Sequence, residues 1–446
     1  MSSFSYAAAP QPFDHAHSHG RVQAPESEHH VDPGDIAVGV VIGRTSEYFD
    51  FFVFGIAAVL VFPAVFFPLE QRLDGTLMAF AIFALAFIAR PFGTAISMAI
   101  QRRWGRATKL TIALFVLGTA TAGMAFLPSY QSIGPSAIWL LALLRIAQGL
   151  ALGGSWDGLP SLLAKSAPEG RRGWYAMLGQ LGAPVGFILA SGLFAYLYGS
   201  LNQEDFLSWG WRYPFFVAFA INVVALFARL RLVATEEYED LLERQELEPV
   251  STRELMATQG HNVVIGAFAA LASYALFHLV TVFPLSWILL FSQQSVTAFL
   301  MVQILGGFLC AGAIVASGWI ADRYGRRRTL GTLAAMIAVF SGFAPTLLDG
   351  GTRGQDVFIL LGFILLGLSY GQASGTVTAN FAPRYRYTGA ALTSDIAWLI
   401  GAAFAPLVAL GLSAHFGLAY VSLYLLSGAA CTLAALSLNR ALETRD

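Results

Sequence analysis

Twelve long apolar runs follow one another from Ile36 to the C-terminal region, with polar loops between them. A hydrocarbon layer about 30 Å thick is crossed by ~20 mostly apolar residues in helical form. Inside it a helix is one of the few structures that satisfies its own backbone polar groups. The runs predict an all-α integral membrane protein with transmembrane helices near 36–62, 75–100, 107–127, 136–165, 173–199, 211–232, 261–291, 297–320, 329–347, 356–380, 387–412 and 416–439. Composition agrees. Hydrophobic residues make up 56 % of the 446 and charged residues only 12 %, about half the charged share of soluble domains. Too little charge remains to cover a soluble surface. The first run follows a polar segment and is itself long enough to span, which is not the pattern of a cleavable signal peptide.

An even number of spans leaves both termini on one side, and Lys and Arg indicate which. The loops between spans 2 and 3 (Arg102, Arg103, Arg106, Lys109), 4 and 5 (Lys165, Arg171, Arg172), and 8 and 9 (Arg323, Arg326, Arg327, Arg328) are basic. Loops of the other parity hold Arg72 and Arg353, with Arg212 at a border. The bias places both termini in the cytoplasm of a multi-pass inner-membrane protein. Residues 1–35 carry His15, His17, His19, His29 and His30 and read as a disordered polar tail rather than a metal site. The charged, helix-prone stretch 233–260 reads as a cytoplasmic linker between two six-helix halves, 36–232 and 261–440, and 441–446 as a short tail. Cys310 and Cys431 lie inside apolar runs and read as small core residues. A net charge of −1 gives no footprint for nucleic acid. No cofactor or metal is expected.

The halves echo each other. Between spans 8 and 9 stands Gly318-Trp-Ile-Ala-Asp322-Arg323-Tyr-Gly325-Arg326-Arg327, and between spans 2 and 3 Gln101-Arg102-Arg103-Trp104-Gly105-Arg106. Duplicated halves with a substrate path between them are a recurrent transporter design. The second copy resembles the G-x-x-x-D-R-x-G-R-R signature of the major facilitator superfamily, whose fold is two pseudo-symmetric six-helix bundles and in which the signature helps latch the cytoplasmic gate. Small residues such as Gly318 let helices approach closely, and Asp322 suits an arginine or a helix N-terminus. In the first copy Met98 and Arg102 stand at the Gly and Asp positions, so the latch role does not carry over.

Further stretches resemble the metabolite:proton symporter branch. They are Gly43-Arg44-Thr-Ser-Glu47-Tyr48-Phe49-Asp50-Phe51-Phe52, Ala89-Arg90-Pro91-Phe92-Gly93, Arg145-Ile-Ala-Gln148-Gly149-Leu-Ala-Leu-Gly153-Gly154, Trp209-Gly-Trp211-Arg212-Tyr-Pro214-Phe215 and Arg386-Tyr387-Thr388-Gly389. The resemblance implies uptake of small organic acids, osmolytes or related metabolites with protons. Where many members of the branch have Glu then Trp, this chain has Ser155-Trp156-Asp157.

An ionisable side chain at the bilayer centre costs at least ~2.5 kcal/mol and persists where it is paired or faces water. Arg44, Glu47 and Asp50 fall within an arc of about 120° on span 1, the pattern of a proton-accepting carboxylate with a cation beside it. Arg145 on span 4, with Gln148 one turn away, is a fixed cation that suits an anionic substrate group or a counter-ion role for Glu47 or Asp50. Asp157, about 18 Å further along, reads as a gate pair or a proton site. Arg90 is deep enough in span 2 to need a partner. Gln180, in the Gly- and Pro-rich Gly179–Gly186 of span 5, is a cavity candidate, as is Asp395 in span 11. His278 in span 7 is of a type that titrates near neutral pH and suits a proton step, or it simply bonds a neighbour. The gate candidates are Gly318, Asp322, Arg323, Gly325 and Arg326. The sequence has no P-loop, H-E-x-x-H or G-x-S-x-G. The expected function is secondary transport of a small metabolite with protons by a chain sufficient as a monomer; an exporter exchanging substrate for protons is the alternative, with a sensor or membrane enzyme behind it.

Overall fold

The computed structural model describes residues 33–155, 163, 167–233, 248–374 and 381–438. The histidines of the N-terminal tail, Trp156 and Asp157 lie outside the described residues. Among the described residues the chain is all-helical. Eleven helices are long and apolar enough to cross a membrane: Arg72–Trp104, Arg106–Ala125, Ser136–Gly154, Arg172–Ser200, Gly210–Leu230, Leu271–Phe291, Val296–Tyr324, Arg326–Asp349, Gly351–Tyr370, Pro383–Phe416 and Ala419–Leu438. They are spans 2 to 12. Span 1 is the 28-residue helix Pro33–Leu60, set apart by Arg44, Glu47 and Asp50 within it.

Prolines interrupt several spans, and in matching places. Span 1 ends at Leu60, and a short helix, Phe62–Phe66, restarts with Pro63 in its first turn. Span 7 breaks at Val282 and restarts with Pro284. The tripeptide Val-Phe-Pro occurs at both breaks, at 61–63 and 282–284. Spans 5 and 11 break in the same way, before Ala183-Pro184 and Ala405-Pro406. A proline lacks the N–H that would continue the ladder but fits a first turn. At the two signature loops Gly105 (φ 83°) and Gly325 (φ 82°) end one helix and begin the next, a conformation that costs glycine little. The duplication is thus carried by helix breaks as well as by the loop motif.

Glycines set how closely the spans meet. A Cβ on Gly149 would strike the Ala86 carbonyl, and one on Gly153 the Arg90 carbonyl, so spans 2 and 4 lie backbone to backbone. A Cβ on Gly182 would sit 2.7 Å from Thr45 N, and one on Gly186 2.7 Å from Phe49 N, which seats span 5 on span 1. Between the halves, span 2 packs on span 11 and span 5 on span 8. The largest buried cluster runs through this junction and includes Phe49, Phe52, Phe83, Phe277, Tyr370 and Trp398.

The helix leading into span 7 starts at Thr252, its N-terminus capped by Ser251 through the Glu254 N–H. The linker predicted to run to 260 therefore ends in helix.

Candidate functional site

Span 1 brings Glu47 to the junction of the halves. Its Oε2 lies 3.0 Å from Arg44 Nη1 and its Oε1 3.2 Å from Arg229 Nη1. Ser155 Oγ donates to Oε1 at 2.8 Å, and Arg229 Nη2 donates to the Ser155 carbonyl at 2.6 Å. Spans 1, 4 and 6 are thereby tied around one carboxylate. Gly43 makes this fit, since a Cβ there would sit 3.2 Å from Arg229 Cδ.

A second ion pair crosses from one half to the other. Arg90 Nε of span 2 lies 2.6 Å from Asp395 Oδ1 of span 11. Thr94 donates to the other Asp395 oxygen and also lies 3.2 Å from the Gly153 carbonyl. Glu47, Arg44, Arg90, Arg229, Thr94, Ser155 and Asp395 line one cavity. An adjoining chamber shares Arg44, Glu47, Arg90 and Leu152 but is otherwise walled by Tyr48, Phe51, Phe87 and Trp398. One wall is charged and the other aromatic. Tyr48 and Tyr370 join through their hydroxyls, so spans 1 and 10 meet beside the aromatic wall.

Asp50 lies in a separate layer. It is 1 % exposed and accepts from Thr121 Oγ1 at 2.8 Å and from Gln148 Nε2 at 3.1 Å. Arg145 donates to Gln148 Oε1 at 3.0 Å and to the Phe83 carbonyl at 3.3 Å. Its guanidinium lies 4.0 Å from the Phe54 ring centroid. Gln148 thus relays between Arg145 and Asp50. Glu47 and Asp50, three residues apart on span 1, have different partners, and of the two only Glu47 lines the described cavities. His278 is fully buried, with Nδ1 3.3 Å from Thr281 Oγ1 and its ring 5.1 Å from that of Phe51. Nη2 of Arg145 and Nε2 of His278 make no hydrogen bond among the described residues. Gln180 is buried at the helix break in span 5 and is not among the lining residues.

At the arginine-rich end, Asp322 caps a helix of the other half. Its Oδ1 accepts from Gly173 N at 2.6 Å and its Oδ2 from Trp174 N at 3.1 Å. These are orphan amides in the first turn of Arg172–Leu178, where an anion is favoured. Arg326 Nη2 donates to the Arg172 carbonyl at 3.3 Å. Gly173 and Gly318 allow the approach, a Cβ on Gly173 reaching 2.8 Å from Asp322 Oδ1. Arg323 is exposed, and its guanidinium lies over the Trp319 and Tyr324 rings.

The first copy of the loop motif meets span 11 differently. Tyr387 Oη accepts from Lys109 Nζ at 3.3 Å and donates to Gln101 Oε1 at 3.1 Å. Arg102 donates to the Val250 carbonyl at 3.1 Å, and Val250 N donates to Thr388 Oγ1 at 3.0 Å.

Arg229, Thr94, Thr121 and Tyr370 stand in these networks and were not singled out from the sequence. Arg229 lies near the end of span 6. Gly43 was the available signal, a glycine one residue before Arg44 that leaves room for a long side chain. Among the described residues no cluster of His, Cys, Asp and Glu could hold a metal ion.

The model of the Major Facilitator Superfamily matches residues 131–406. The inner membrane metabolite transport protein YhjE of Escherichia coli K12 is 36 % identical over 420 residues, covering 92 % of this chain and 94 % of that protein. The shikimate transporter of the same organism is 32 % identical over 416 residues, covering 90 % and 92 %. Its proline/betaine transporter is 26 % identical over 388 residues, covering 83 % and 76 %. Among solved structures, a D-xylose-proton symporter superposes with a TM-score of 0.69 at 19 % identity, over 91 % of this chain and 97 % of that one. At that identity the likeness is one of fold.

Proposed function

The chain belongs to the major facilitator superfamily, and from that premise we propose that it is a proton-coupled symporter that carries a small organic acid or other small metabolite across the inner membrane by alternating access. The observation that carries this reading is the cavity where the halves meet, in which Glu47 is shared between Arg44 and Arg229 and Asp395 faces Arg90. A carboxylate held by arginines in a site of low dielectric changes partners when it takes up a proton, and a change of partners across the junction is a change in how the halves fit. Relatives named for metabolite, shikimate and proline/betaine transport support a small-molecule cargo.

The halves 36–232 and 261–440 move against each other as a monomer, with both termini cytoplasmic by the distribution of Lys and Arg. The coupling proton is taken up among the buried carboxylates Glu47, Asp395 and Asp50, the last in its Gln148–Arg145 layer. Asp322, with Gly318, Gly325, Arg323 and Arg326 around it, latches the cytoplasmic gate. The test is uptake of labelled organic acids, sugars and betaines by vesicles under an imposed proton gradient. Accumulation should follow the gradient, and Glu47→Gln and Asp50→Asn should abolish it. Uptake indifferent to the gradient would refute symport, and export down an inward proton gradient would make the protein an antiporter.

A further inference from the structure

Arg90 and Asp395 come from opposite halves, and both line the charged cavity. Their ion pair holds the two halves together in the closed state. Each chamber then has room for about one water, so an organic molecule enters only when one end opens and this pair is disturbed. Resting on the symport reading above, the geometry points to Arg90 as the site for the carboxylate of a small monocarboxylic acid, with Asp395 as its internal stand-in that occupies Arg90 while the carrier is empty.

Thr94 supplies the first argument. A hydroxyl has one proton to give, yet Thr94 Oγ1 lies within reach of both Asp395 and the Gly153 carbonyl. While Asp395 is ionised, Thr94 donates to it. Once Asp395 is protonated, its own O–H donates to Thr94 Oγ1, and the threonine proton turns to Gly153. Neutral Asp395 therefore keeps a hydrogen-bond partner without Arg90, and the guanidinium is released to an incoming anion.

Charge supplies the second. One proton on Asp395 and one carboxylate on Arg90 leave the net charge of the cavity unchanged. A neutral or zwitterionic cargo with the same proton would leave an extra positive charge in a low-dielectric site, at a cost of several kcal/mol. The matched cargo is a monoanion, one per proton. The aromatic wall supplies the third. Phe87 and Trp398 stack at 6.0 Å with their planes 22° apart beside Arg90. They offer an apolar face to the body of an acid whose carboxylate is on Arg90.

Among the described residues, Arg44, Glu47, Arg90 and Arg229 line the cavity with Asp395, and spans 1 and 10 bring Tyr48 and Tyr370 against Trp398. Span 7 brings Tyr274 and His278 against Trp398. The helix Thr252–Ala269 meets span 11 through Leu255 and Val263, its Glu254 being paired with Arg384.

The test is binding of benzoate to the purified full-length chain in nanodiscs, by calorimetry and tryptophan fluorescence, from about pH 8 to about pH 5.5, where benzoate stays ionised. Affinity should rise toward tenfold per pH unit as pH falls, the signature of one linked proton. Asp395→Asn should bind benzoate without pH dependence, at the affinity the parent reaches in acid. Arg90→Gln should not bind it at any pH. The Arg90→Gln, Asp395→Asn double variant, which leaves neither charge unpaired, should melt like the parent and still fail to bind. Benzamide and glycine betaine should not compete. Retention of the parent's pH slope in Asp395→Asn, equal binding of benzamide, or no benzoate binding by the parent and Asp395→Asn alike would overturn the proposal. Uptake of a sugar driven by protons with no carboxylate bound would also overturn it while leaving symport standing. Benzoate binding with the expected slope but uptake indifferent to the gradient would keep the site and remove symport.

Discussion

Arg229 reaches from span 6 to hold both Glu47 and the carbonyl of Ser155. Truncating one partner of a buried ion pair costs ~3–5 kcal/mol, and Arg44 retains part of this one. Arg229→Ala should therefore lower stability by about 2–4 kcal/mol, read as an earlier thermal transition of the purified protein. Arg229→Lys should recover only part of the loss, because an ammonium does not present the two-pronged donor that serves both oxygens. A parent-like melt for Arg229→Ala would show that Glu47 does not depend on it. The same residue shows where sequence reading stops. Glu47, Asp50, Arg90 and Asp395 were legible because an ionised group inside an apolar run is expensive and needs a reason. Some of their partners were too: Arg44 beside Glu47, and Arg145 with Gln148 as candidates for Glu47 or Asp50. Arg229, Thr121 and Thr94 were not, since Arg229 sits near a span end and the two threonines are uncharged. Which of them meets which carboxylate is settled by how the helix faces pack, and one sequence does not record that.

At the scale of the element, glycine sets the spacing. Span 4 lies on span 2 with Gly149 against the Ala86 carbonyl and Gly153 against that of Arg90. A methyl group at either position meets backbone, which cannot rotate aside. Gly149→Ala and Gly153→Ala should each cost ~1–3 kcal/mol by overpacking. Gly192→Ala, where an added Cβ meets nothing within 4 Å, is the control and should melt like the parent. Equal melts for all three would mean that spans 2 and 4 do not lie this close. Apolar run length revealed the spans themselves, since a bilayer demands it. It did not reveal where the helix leading into span 7 begins, at Thr252 on a Ser251 cap, in a charged stretch where hydropathy has nothing to detect. Nor did it reveal the breaks at Val61-Phe62-Pro63 and Val282-Phe283-Pro284. Those need the two halves to be aligned by their prolines rather than by the loop motif alone.

For the molecule as a whole, the arginine-rich end is closed by two unlike contacts in equivalent places of the repeat. In one, the Asp322 carboxylate caps the first turn of span 5 across the junction. In the other, the position of that acid holds Arg102, and closure passes to the Tyr387 hydroxyl between Lys109 and Gln101, with the Val250 backbone pinned between Arg102 and Thr388. The departure of the first motif copy was legible in sequence; the phenol that replaces the acid was not, because it comes from the far half. A carboxylate on a helix N-terminus contributes ~0.5–2 kcal/mol, and two hydrogen bonds of a buried hydroxyl together about 1–3 kcal/mol. If the carrier works by the proposed alternating access, both act on one equilibrium between closed and open. Asp322→Asn and Tyr387→Phe should therefore each raise the open fraction several-fold, and the double variant should raise it by about their product. The readout is the rate at which an impermeant maleimide labels Leu152→Cys, a cavity position, in a background with Cys310 and Cys431 replaced by serine. A faster rate in Asp322→Asn but not in Tyr387→Phe would leave the acid as the sole latch. The reverse result would make the tyrosine and the strap at Val250 the gate, and the recognisable motif a helix cap with no part in opening.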